Sequence, residues 1–416
     1  MLNLFQGRLI IVRIALLTAM LGLISIGIAS IYASGNPAGA DEPIPGASLW
    51  KKQMVLACGG LFLFFLLNLI DYRWLGPLSF WMYGGCLAVL AFMLVCKYGN
   101  ILPSIVPERN YAHRWIVVGF GGFSQQIQPS ELCKLIYIIA LAWYLRFRKN
   151  YRHFRGLVGP FALTLLAMGL IVKEPDLGTT LLLMPILFAM LFVAGAKVKH
   201  LLVIISLGVI MSPFLWDHLD GYQRTRISSF LLQNEGIREK VKNDSIFCEL
   251  LTGRAYFSEN RWLEEDGYHL MHSKRAIASG GLTGYGFAEG PYIKYPLLPE
   301  RHNDFIFAII AHQWGLLGCI AVYILYGVII VCGIEIASNN AEPFARLIVV
   351  GILTMFLVQV IVNTCMTVGL MPITGVTLPL VSYGGSSLVV NIIAIGLLNN
   401  IGRTRPFSVA GKGFEN

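Results

Sequence analysis

Asp304 is the residue whose position most directly predicts chemistry. It lies within Leu298–Phe307 and stands immediately before a long apolar run. A carboxylate there suits the positive end of a helix dipole, which is expected to lower its pKa and keep it ionised. An ionised aspartate at a helix mouth can accept a proton as a general base. The alternative interpretation is a plain N-cap that takes no part in chemistry.

A second charged pair opens another apolar run. Residues 128–134 read Gln-Pro-Ser-Glu-Leu-Cys-Lys, in which Pro129 suits the first helical position. Glu131 and Lys134 are three residues apart, so they share a helix face and can form an ion pair. A capping carboxylate and a helix ion pair would explain the pattern without a function. Lys134, however, is one turn inside the apolar run, where an ionisable group is costly and is therefore a functional candidate.

Three further polar segments stand at the ends of apolar runs. Asp176 lies in a short Pro- and Gly-containing turn and either caps the next helix or belongs to a site. Arg224 and Arg226 follow an apolar run and predict an anion-binding pair, a solvated patch or a lipid-headgroup anchor. Residues 378–387 are rich in Gly and Ser, and small residues of this kind also serve helix packing.

The composition indicates the elements that hold these residues. Hydrophobic residues make up 56% of the 416 residues and charged residues only 13%, with a mean hydropathy of +0.66. A span needs roughly 20 apolar residues, and in lipid only helices or closed barrels satisfy their own backbone. Because the apolar runs are continuous, the sequence predicts an all-α polytopic membrane protein. The predicted helices cover residues 9–33, 53–70, 77–96, 130–146, 157–173, 179–196, 200–216, 304–334, 345–367 and 379–402.

The loops predict an orientation for these helices. Lys and Arg concentrate in the short loops on one side, so both termini are predicted to be cytoplasmic and the first helix to be an uncleaved span. The net charge of +9 then indicates basic cytoplasmic loops and residues that bind an anionic ligand. It does not indicate binding of nucleic acid. The eight cysteines contain no C-x-x-C pair, which argues against a disulfide framework or a zinc site.

Two predicted outer stretches do not fit a simple bundle. The first covers residues 97–129. The second, residues 217–303, is a large extracytoplasmic loop with a polar insertion at about 231–266. Residues 273–290 are weakly apolar and glycine-rich, and could re-enter the membrane where protein satisfies their backbone. We treat residues 1–416 as a single transmembrane domain.

Taken together, these segments resemble the SEDS family (shape, elongation, division and sporulation), whose members include RodA and FtsW. Seven motifs occur in the family's order over nearly the whole chain, which makes the resemblance specific although each motif alone is weak. They are Ala112-x-Arg114-Trp115-Ile116, residues 128–134, Glu174–Gly178, Tyr222-Gln223-x-x-Arg226, residues 273–286, Leu298–Ala308 and Leu378–Ser387.

The resemblance implies a ten-helix peptidoglycan glycosyltransferase in the bacterial cytoplasmic membrane. Its substrates would be lipid II and the undecaprenyl-pyrophosphate-linked glycan, and its partners a class B penicillin-binding protein, other elongation-complex proteins and membrane lipids. The family's proposed catalytic aspartate falls on Asp304, and Mg²⁺ or another divalent cation is implied by analogy. Lys134, Arg224, Arg226 and Arg301 are the candidate pyrophosphate ligands, and Trp115 would stack on a sugar or pack at the interface. The full set of predicted substrate-binding residues is Arg114, Trp115, Glu131, Lys134, Asp176, Arg224, Arg226, Arg301, His302 and Ser386.

The chain departs from the family pattern at several positions. Asn303 replaces a usual threonine, and His312-Gln313 stands where the family has two glutamates, which puts any cation-holding role of those carboxylates in doubt. Two motifs, around 299–302 and 372–375, are more similar to RodA, whereas the motif at 377–381 is more similar to FtsW. We therefore prefer the RodA role, which is in cell elongation. A lipid II flippase and a non-enzymatic scaffold are the rival functions. A flippase would need polar groups through the whole membrane depth, whereas here they crowd the predicted outer mouth and the inner halves of the helices are nearly bare of them.

Overall fold

The computed structural model describes residues 9–38, 46–99, 106–107, 114–120, 123–147, 153–216, 221–254, 256–295 and 297–404. The described residues do not include Ala112, Gly121, Gly122 or either terminus. The cytoplasmic location of the termini therefore stays a prediction. Each of the ten predicted spans coincides with a helix. The helices are α1 (Ile10–Gly35), α2 (Leu49–Leu69), α3 (Leu75–Gly99), α4 (Pro129–Leu145), α5 (Val158–Lys173), α6 (Leu177–Val193), α7 (Val198–Trp216), α8 (Gly221–Leu231), α9 (Glu235–Asn243), α10 (Ser245–Thr252), α11 (Glu259–Arg261), α12 (Tyr268–Gly280), α13 (Pro291–Lys294), α14 (Ile306–Ser338), α15 (Pro343–Val368) and α16 (Gly385–Arg403).

The long apolar helices make this a multi-pass membrane protein. Among the described residues, seven helices are long and apolar enough to cross a membrane, and α6 and α7 are shorter apolar helices. The remaining predicted span, α4, has 17 residues and contains Glu131 and Lys134. The predicted all-α polytopic fold is therefore confirmed.

Helices α4, α15 and α16 form the centre of the bundle. They are buried along most of their length, whereas α2, α3, α5 and α7 expose large apolar side chains on one side. Helix α16 packs on α2, α15 packs on α4 and α6, and α1 packs on α14. Such exposure in water would be unfavourable, but it suits a surface that faces lipid.

Polar side chains also occur at the end of the bundle opposite Asp304. Arg13 Nε donates to Asn399 Oδ1 at 2.9 Å, and Asn399 Nδ2 donates to Asn68 Oδ1 at 2.7 Å. Asn400 Nδ2 donates to the carbonyls of Leu67 and Ile70. The expectation that this half of the helices is nearly bare of polar groups was therefore wrong. The hydropathy of each residue by itself does not show which polar groups bind one another. Here these hydrogen bonds connect α1, α2 and α16.

The segment between α7 and α14 is largely helical. Within the predicted insertion 231–266, α9, α10 and a π-helical turn at Trp262–Asp266 surround a small apolar cluster. That cluster is separate from the main core and is formed by Leu232, Val241, Cys248, Leu251 and Trp262. The insertion thus has its own core, and its limits as a domain stay a prediction.

The glycine-rich segment after α12 packs deep against α14. Helix α14 is broken at Gly315, whose φ is 61° and ψ −156°. Gly315 is nine residues below Ile306, about 13 Å along the helix and nearly half of a hydrocarbon core of about 30 Å. The break leaves the N–H groups of Leu316 and Leu317 to donate to the carbonyls of Gly281 and Leu282, at 2.9 and 3.2 Å. These contacts are those expected of a segment that re-enters the bundle.

The N-terminal half of the same break is paired with the same segment. The N–H groups of Tyr285 and Gly286 donate to the carbonyls of His312 and Gln313, at 3.1 and 2.9 Å. Gly280 makes this approach possible, because a Cβ there would lie 1.9 Å from the carbonyl oxygen of Ala311.

A short hairpin covers part of the first irregular stretch, residues 97–129. Strands β1 (Ile116–Phe120) and β2 (Phe123–Ile127) pair antiparallel, with Ile116 opposite Ile127. The sequence predicted only that this stretch is irregular. Strand β2 leads directly into α4, so the hairpin fixes where that helix begins.

We expect Gly280→Ala to destabilise the protein by about 1–3 kcal/mol, because the added methyl group collides with backbone that cannot move away. Gly59→Ala in α2 is the matched control, since a Cβ at Gly59 meets nothing within 4 Å. Thermal unfolding in detergent micelles gives the comparison. Equal melting temperatures for the two variants would contradict the tight contact between the glycine-rich segment and α14.

Candidate functional site

Asp304 lies in the loop that leads into α14, at the end of the bundle where α4, α6, α14 and α16 begin. Helix α14 begins at Ile306, its N-cap residue is Phe305, and no side chain caps it. The plain N-cap interpretation of Asp304 is therefore wrong, because the aspartate stands one residue too early. Its side chain is half-buried, and its Oδ2 lies close to Gly375 in the loop before α16.

The electrostatic surroundings of Asp304 differ from those predicted by the helix-dipole argument. Burial raises its pKa to about 6, Arg226 opposes this increase, and the charge of Glu300 adds to it. The expected lowering of the pKa was wrong, because burial outweighs the favourable charges. A carboxyl group with this pKa is mostly ionised at neutral pH and is a stronger base than an ordinary aspartate.

Arg226 of α8 is a close neighbour of Asp304. The two side chains approach each other over Gly375, where a Cβ would lie 3.5 Å from Arg226 Nη1 and 3.5 Å from Asp304 Oδ2. Gly375 has a φ of 76°, a conformation that favours glycine. The glycine thus keeps the space between Asp304 and Arg226 open on one side.

Donors from α15 and from the loop before α16 bind backbone carbonyls at and before Asp304 and hold it in place. Asn363 Nδ2 donates to the carbonyl of Asp304 at 2.9 Å and to that of Val376 at 2.7 Å. Ser382 Oγ donates to the carbonyl of Asn303 at 2.7 Å, and Tyr383 N–H donates to the carbonyl of His302 at 2.8 Å. The sequence prediction did not include Asn363, although a buried asparagine inside an apolar helix is a usable signal.

Asp176 anchors the start of α6 and the start of α4 together. It accepts hydrogen bonds from Thr179 N–H at 3.1 Å, from Ser130 Oγ at 2.8 Å and from Gln128 Nε2 at 2.9 Å. Burial raises its pKa, but the charge of Arg114 and these hydrogen bonds outweigh burial and hold the pKa below its usual value. Asp176 does cap α6, and it is also the hub of this polar cluster.

Arg114 fixes the turn between α5 and α6. Its Nε donates to the carbonyl of Glu174 at 3.1 Å, and its Nη2 donates to that of Pro175. The side chain of Glu174 is buried, and burial together with the charge of Asp176 raises its pKa to about 9, so it is protonated at neutral pH. Trp115 is half-exposed next to Arg114, and its stacking on a sugar stays a prediction.

The predicted pair of Glu131 and Lys134 is confirmed. Lys134 Nζ lies 2.8 Å from Glu131 Oε1, and the two side chains are 2% and 11% exposed. Glu131 Oε2 is buried and has no hydrogen-bond partner among the described residues. A buried pair of this kind depends on both members, because removing one leaves an uncompensated charge.

The structure does not bring all the predicted cations to Asp304. Arg224 and Arg226 are two residues apart in α8 and therefore point to nearly opposite faces. Arg224 Nε donates to the carbonyl of Trp216 at the end of α7. Arg301 is buried, its Nη1 donates to the carbonyls of Tyr292 and Ile293 at 3.4 Å, and burial lowers its pKa. Arg224 and Arg301 thus bind backbone carbonyls of α7 and α13, and their roles in pyrophosphate binding stay predictions.

His302 and Ser386 have structural partners. The ring of His302 packs edge-to-face on Tyr383 at 5.8 Å, and burial lowers its pKa. Ser386 Oγ accepts from the N–H of Gln128 at 2.8 Å and so ties α16 to the start of α4. Their roles in substrate binding stay predictions.

The residues around Asp304 do not form a metal site of the usual kind. Within the part of the chain that the structure describes, no group of three or more His, Cys, Asp or Glu side chains is placed to hold a metal ion. His312 and Gln313, at the positions of the family's acidic pair, are buried. His312 bonds to Ser279 Oγ at 2.8 Å, and Gln313 Oε1 accepts from Ala288 N–H at 3.3 Å. They hold the glycine-rich segment and offer no carboxylate.

Comparison with known proteins gives one consistent result. The FTSW_RODA_SPOVE family model, described as "Cell cycle protein", matches residues 8–406. The chain is 31% identical to the peptidoglycan glycosyltransferase RodA of Treponema pallidum, over 93% of this chain and 96% of that protein. It is 32% identical to the stage V sporulation protein E of Bacillus subtilis, over 92% and 94% of the two chains.

Solved structures agree with these relatives. A chain of a peptidoglycan synthase complex, described as coordinating polymerization and crosslinking, superposes with a TM-score of 0.71 and 29% identity. The match covers 93% of this chain and 96% of that chain. The rod shape determining protein RodA of Thermus thermophilus superposes with a TM-score of 0.63 and 27% identity, over 94% and 96% of the two chains.

We expect Lys134→Met to destabilise the protein by about 3–5 kcal/mol, because it leaves Glu131 charged and buried without its partner. The double variant Glu131→Gln with Lys134→Met removes both charges and should recover most of that loss. Chemical unfolding in micelles measures both. A double variant as unstable as the single one would show that the ion pair does not determine the stability of α4.

Proposed function

This chain belongs to the FtsW/RodA/SpoVE family, the SEDS family that its motifs predicted, and on that premise we propose that it polymerises lipid II with Asp304 as the general base. The product is a peptidoglycan glycan strand, so the chain is a peptidoglycan glycosyltransferase. The observation that supports the base most directly is the half-buried carboxyl of Asp304, with a pKa of about 6, facing Arg226.

The reaction class fits a site with one base. The 4-hydroxyl of one sugar attacks the carbon that carries the axial undecaprenyl pyrophosphate of another, and that carbon inverts. Asp304 takes the hydroxyl proton, and a base works best when its pKa is close to the working pH. The pyrophosphate leaves as a stable anion, so no protonated side chain has to assist it.

Arg226 is our candidate for stabilising charge in this reaction. Of the four cations predicted to bind pyrophosphate, Arg226 is the one that the structure places beside Asp304, while Lys134 is paired with Glu131. A guanidinium can donate two parallel hydrogen bonds to a phosphate group. We propose that Arg226 keeps Asp304 ionised and faces the pyrophosphate of the bound donor.

A divalent cation such as Mg²⁺ remains a proposal from family analogy. Among the described residues no three His, Cys, Asp or Glu side chains are grouped to hold a metal ion, and Asp304 lies next to an arginine. This arrangement does not fit a cation held by protein ligands alone. We therefore derive no catalytic step from it.

We also propose a cellular role and a partner, both of which are more specific than membership of the family. Identities of 31% to a RodA protein and 32% to the sporulation protein E and to FtsW of Mycobacterium tuberculosis do not separate the branches. We propose the elongation role because the motifs at 299–302 and 372–375 favour it. We also propose a class B penicillin-binding protein as the partner, since a structural relative belongs to a synthase complex that coordinates polymerization and crosslinking. The site would face the outer side of the cytoplasmic membrane, with both termini inside.

A lipid II flippase is the second candidate function. The buried polar groups at the end opposite Asp304 are bonded to one another, as Arg13 is to Asn399. A transport path needs polar groups that are available to the substrate through the whole depth. The arrangement therefore favours the polymerase.

We expect Asp304→Ala and Asp304→Asn to reduce lipid II polymerisation by at least about 100-fold, because a general base contributes roughly 10²–10⁴-fold. Purified protein with its partner would receive labelled lipid II, and glycan products would be separated by gel electrophoresis. The asparagine variant preserves the side-chain shape, so its normal thermal stability serves as the folding control. Near-normal polymer from Asp304→Asn would refute the base. Lipid scrambling in liposomes without any polymer, from wild type as well, would favour the flippase.

The pH profile gives an independent test. Asp304 acts only when deprotonated, so activity should rise with pH through a midpoint near 6. Arg226→Gln removes a charge that lowers this pKa, so the midpoint should move to higher pH. Arg224→Gln is the matched control on the opposite face of α8 and should leave the midpoint unchanged. Equal shifts in the two variants would contradict the proposed pairing of Arg226 with Asp304.

A further inference from the structure

Helix α10 of the insertion is attached to the end of a membrane helix. Trp216 is the last residue of α7, and its Nε1 donates to the carbonyl of Leu250 in α10 at 3.0 Å. Just below Trp216, Ile210 and Phe214 are 65% and 67% exposed, as expected for side chains that face acyl chains. Tryptophan is enriched where helices leave the bilayer, so this hydrogen bond places α10 at the level of the membrane surface.

Helix α10 has one buried face and one exposed apolar face. Cys248 and Leu251 are buried in the small core of the insertion. Ile246 and Leu250, four residues apart and therefore on one face, are 79% and 56% exposed. Glu249 is exposed at the edge of this face, from which its carboxylate can reach the water above the acyl chains. The exposed face is continuous with the lipid-facing surface of α7 through the Trp216 contact.

Positive charges lie beside the same helix. An open groove of about 470 Å³ lies between the C-terminal end of α10 and the N-terminal end of α8. Arg224 and Arg254 line it from the two sides, and Lys240 is exposed on the preceding helix α9. Arg254 Nη1 also pairs with Asp266 Oδ2 and Arg224 Nε with the carbonyl of Trp216, so each guanidinium would bind a phosphate through its remaining N–H groups. An apolar helix face with basic residues next to it is the pattern of helices that lie in the interface of a membrane with anionic headgroups.

We propose that α10 is a bilayer-binding helix of the insertion. Ile246 and Leu250 insert among the acyl chains, and the groove between Arg224 and Arg254 receives the phosphate of a phospholipid headgroup. This contact anchors the insertion to the membrane next to α8, the helix that carries Arg226. The proposal does not depend on the catalytic function, because it concerns the surface of α8 that faces away from Asp304.

Depth measurements on the full chain in nanodiscs test the insertion. A nitroxide-bearing amino acid would be placed singly at Ile246, Leu250, Phe214 and Glu239. Collision with oxygen, which concentrates in the bilayer, is compared with collision with a water-soluble nickel chelate. We expect the oxygen-to-nickel ratio at Ile246 and Leu250 to approach that at Phe214. It should exceed several-fold that at Glu239, which is exposed on α9.

Two outcomes would overturn the proposal. Ratios at Ile246 and Leu250 equal to that at Glu239 would show that α10 faces water. Protection that arises only when a purified penicillin-binding protein is added would assign the surface to a protein partner instead. These labels are read without lipid II, so the result stands whether or not the polymerase assay succeeds.

The headgroup part has its own test. Nanodiscs that contain phosphatidylglycerol should give a deeper label at Ile246 than nanodiscs of phosphatidylcholine alone. The double variant Arg224→Gln with Arg254→Gln should abolish this difference, while the label at Phe214 stays at its depth as the folding control. A difference that persists in the double variant would overturn the headgroup site.

Discussion

The structure depends on one constraint, which is that backbone polar groups inside a membrane must be satisfied by the protein itself. Helix α14 is interrupted at Gly315, and the broken turn would leave donors and acceptors unpaired in an apolar layer. The segment after α12 supplies the missing partners on both sides of the break, through Gly281 and Leu282 on one side and Tyr285 and Gly286 on the other. Two distant parts of the chain are thereby fixed to each other, and the loop that carries Asp304 joins them.

The site at Asp304 results from a balance of two opposing effects. Burial favours the protonated form of the carboxyl group, and Arg226 favours the ionised form. Burial prevails in part, so the pKa lies near 6 instead of near the usual value for aspartate. Close by, Asp176 experiences the opposite result, because Arg114 and several hydrogen-bond donors outweigh its burial. Two aspartates at one end of the bundle therefore differ in pKa: that of Asp176 is held below its usual value and that of Asp304 is raised to about 6.

The sequence predicted the helices well, because a span must be a long apolar run and few other structures produce one. It also predicted the pair of Glu131 and Lys134, since a spacing of three within a helix is a local property. It failed where the outcome depends on distant segments. The raised pKa of Asp304 requires the loop at Gly375 and helix α15 to cover it, and no local pattern contains that information. Arg224 and Arg226 were grouped because they are only two residues apart in the sequence, whereas in the helix α8 that spacing places them on nearly opposite faces.

The contacts around Asp304 also explain why this chain tolerates its departures from the family pattern. The residue before the aspartate is Asn303 instead of threonine, yet Ser382 binds its carbonyl oxygen and not its side chain. Likewise, Asn363 binds the carbonyl of Asp304. Because these bonds use main-chain atoms, a change of side chain at position 303 leaves them intact. At His312 and Gln313 the substituted side chains themselves bind the glycine-rich segment, through Ser279 and Ala288. Neutral donors and acceptors thus hold this segment without the acidic pair.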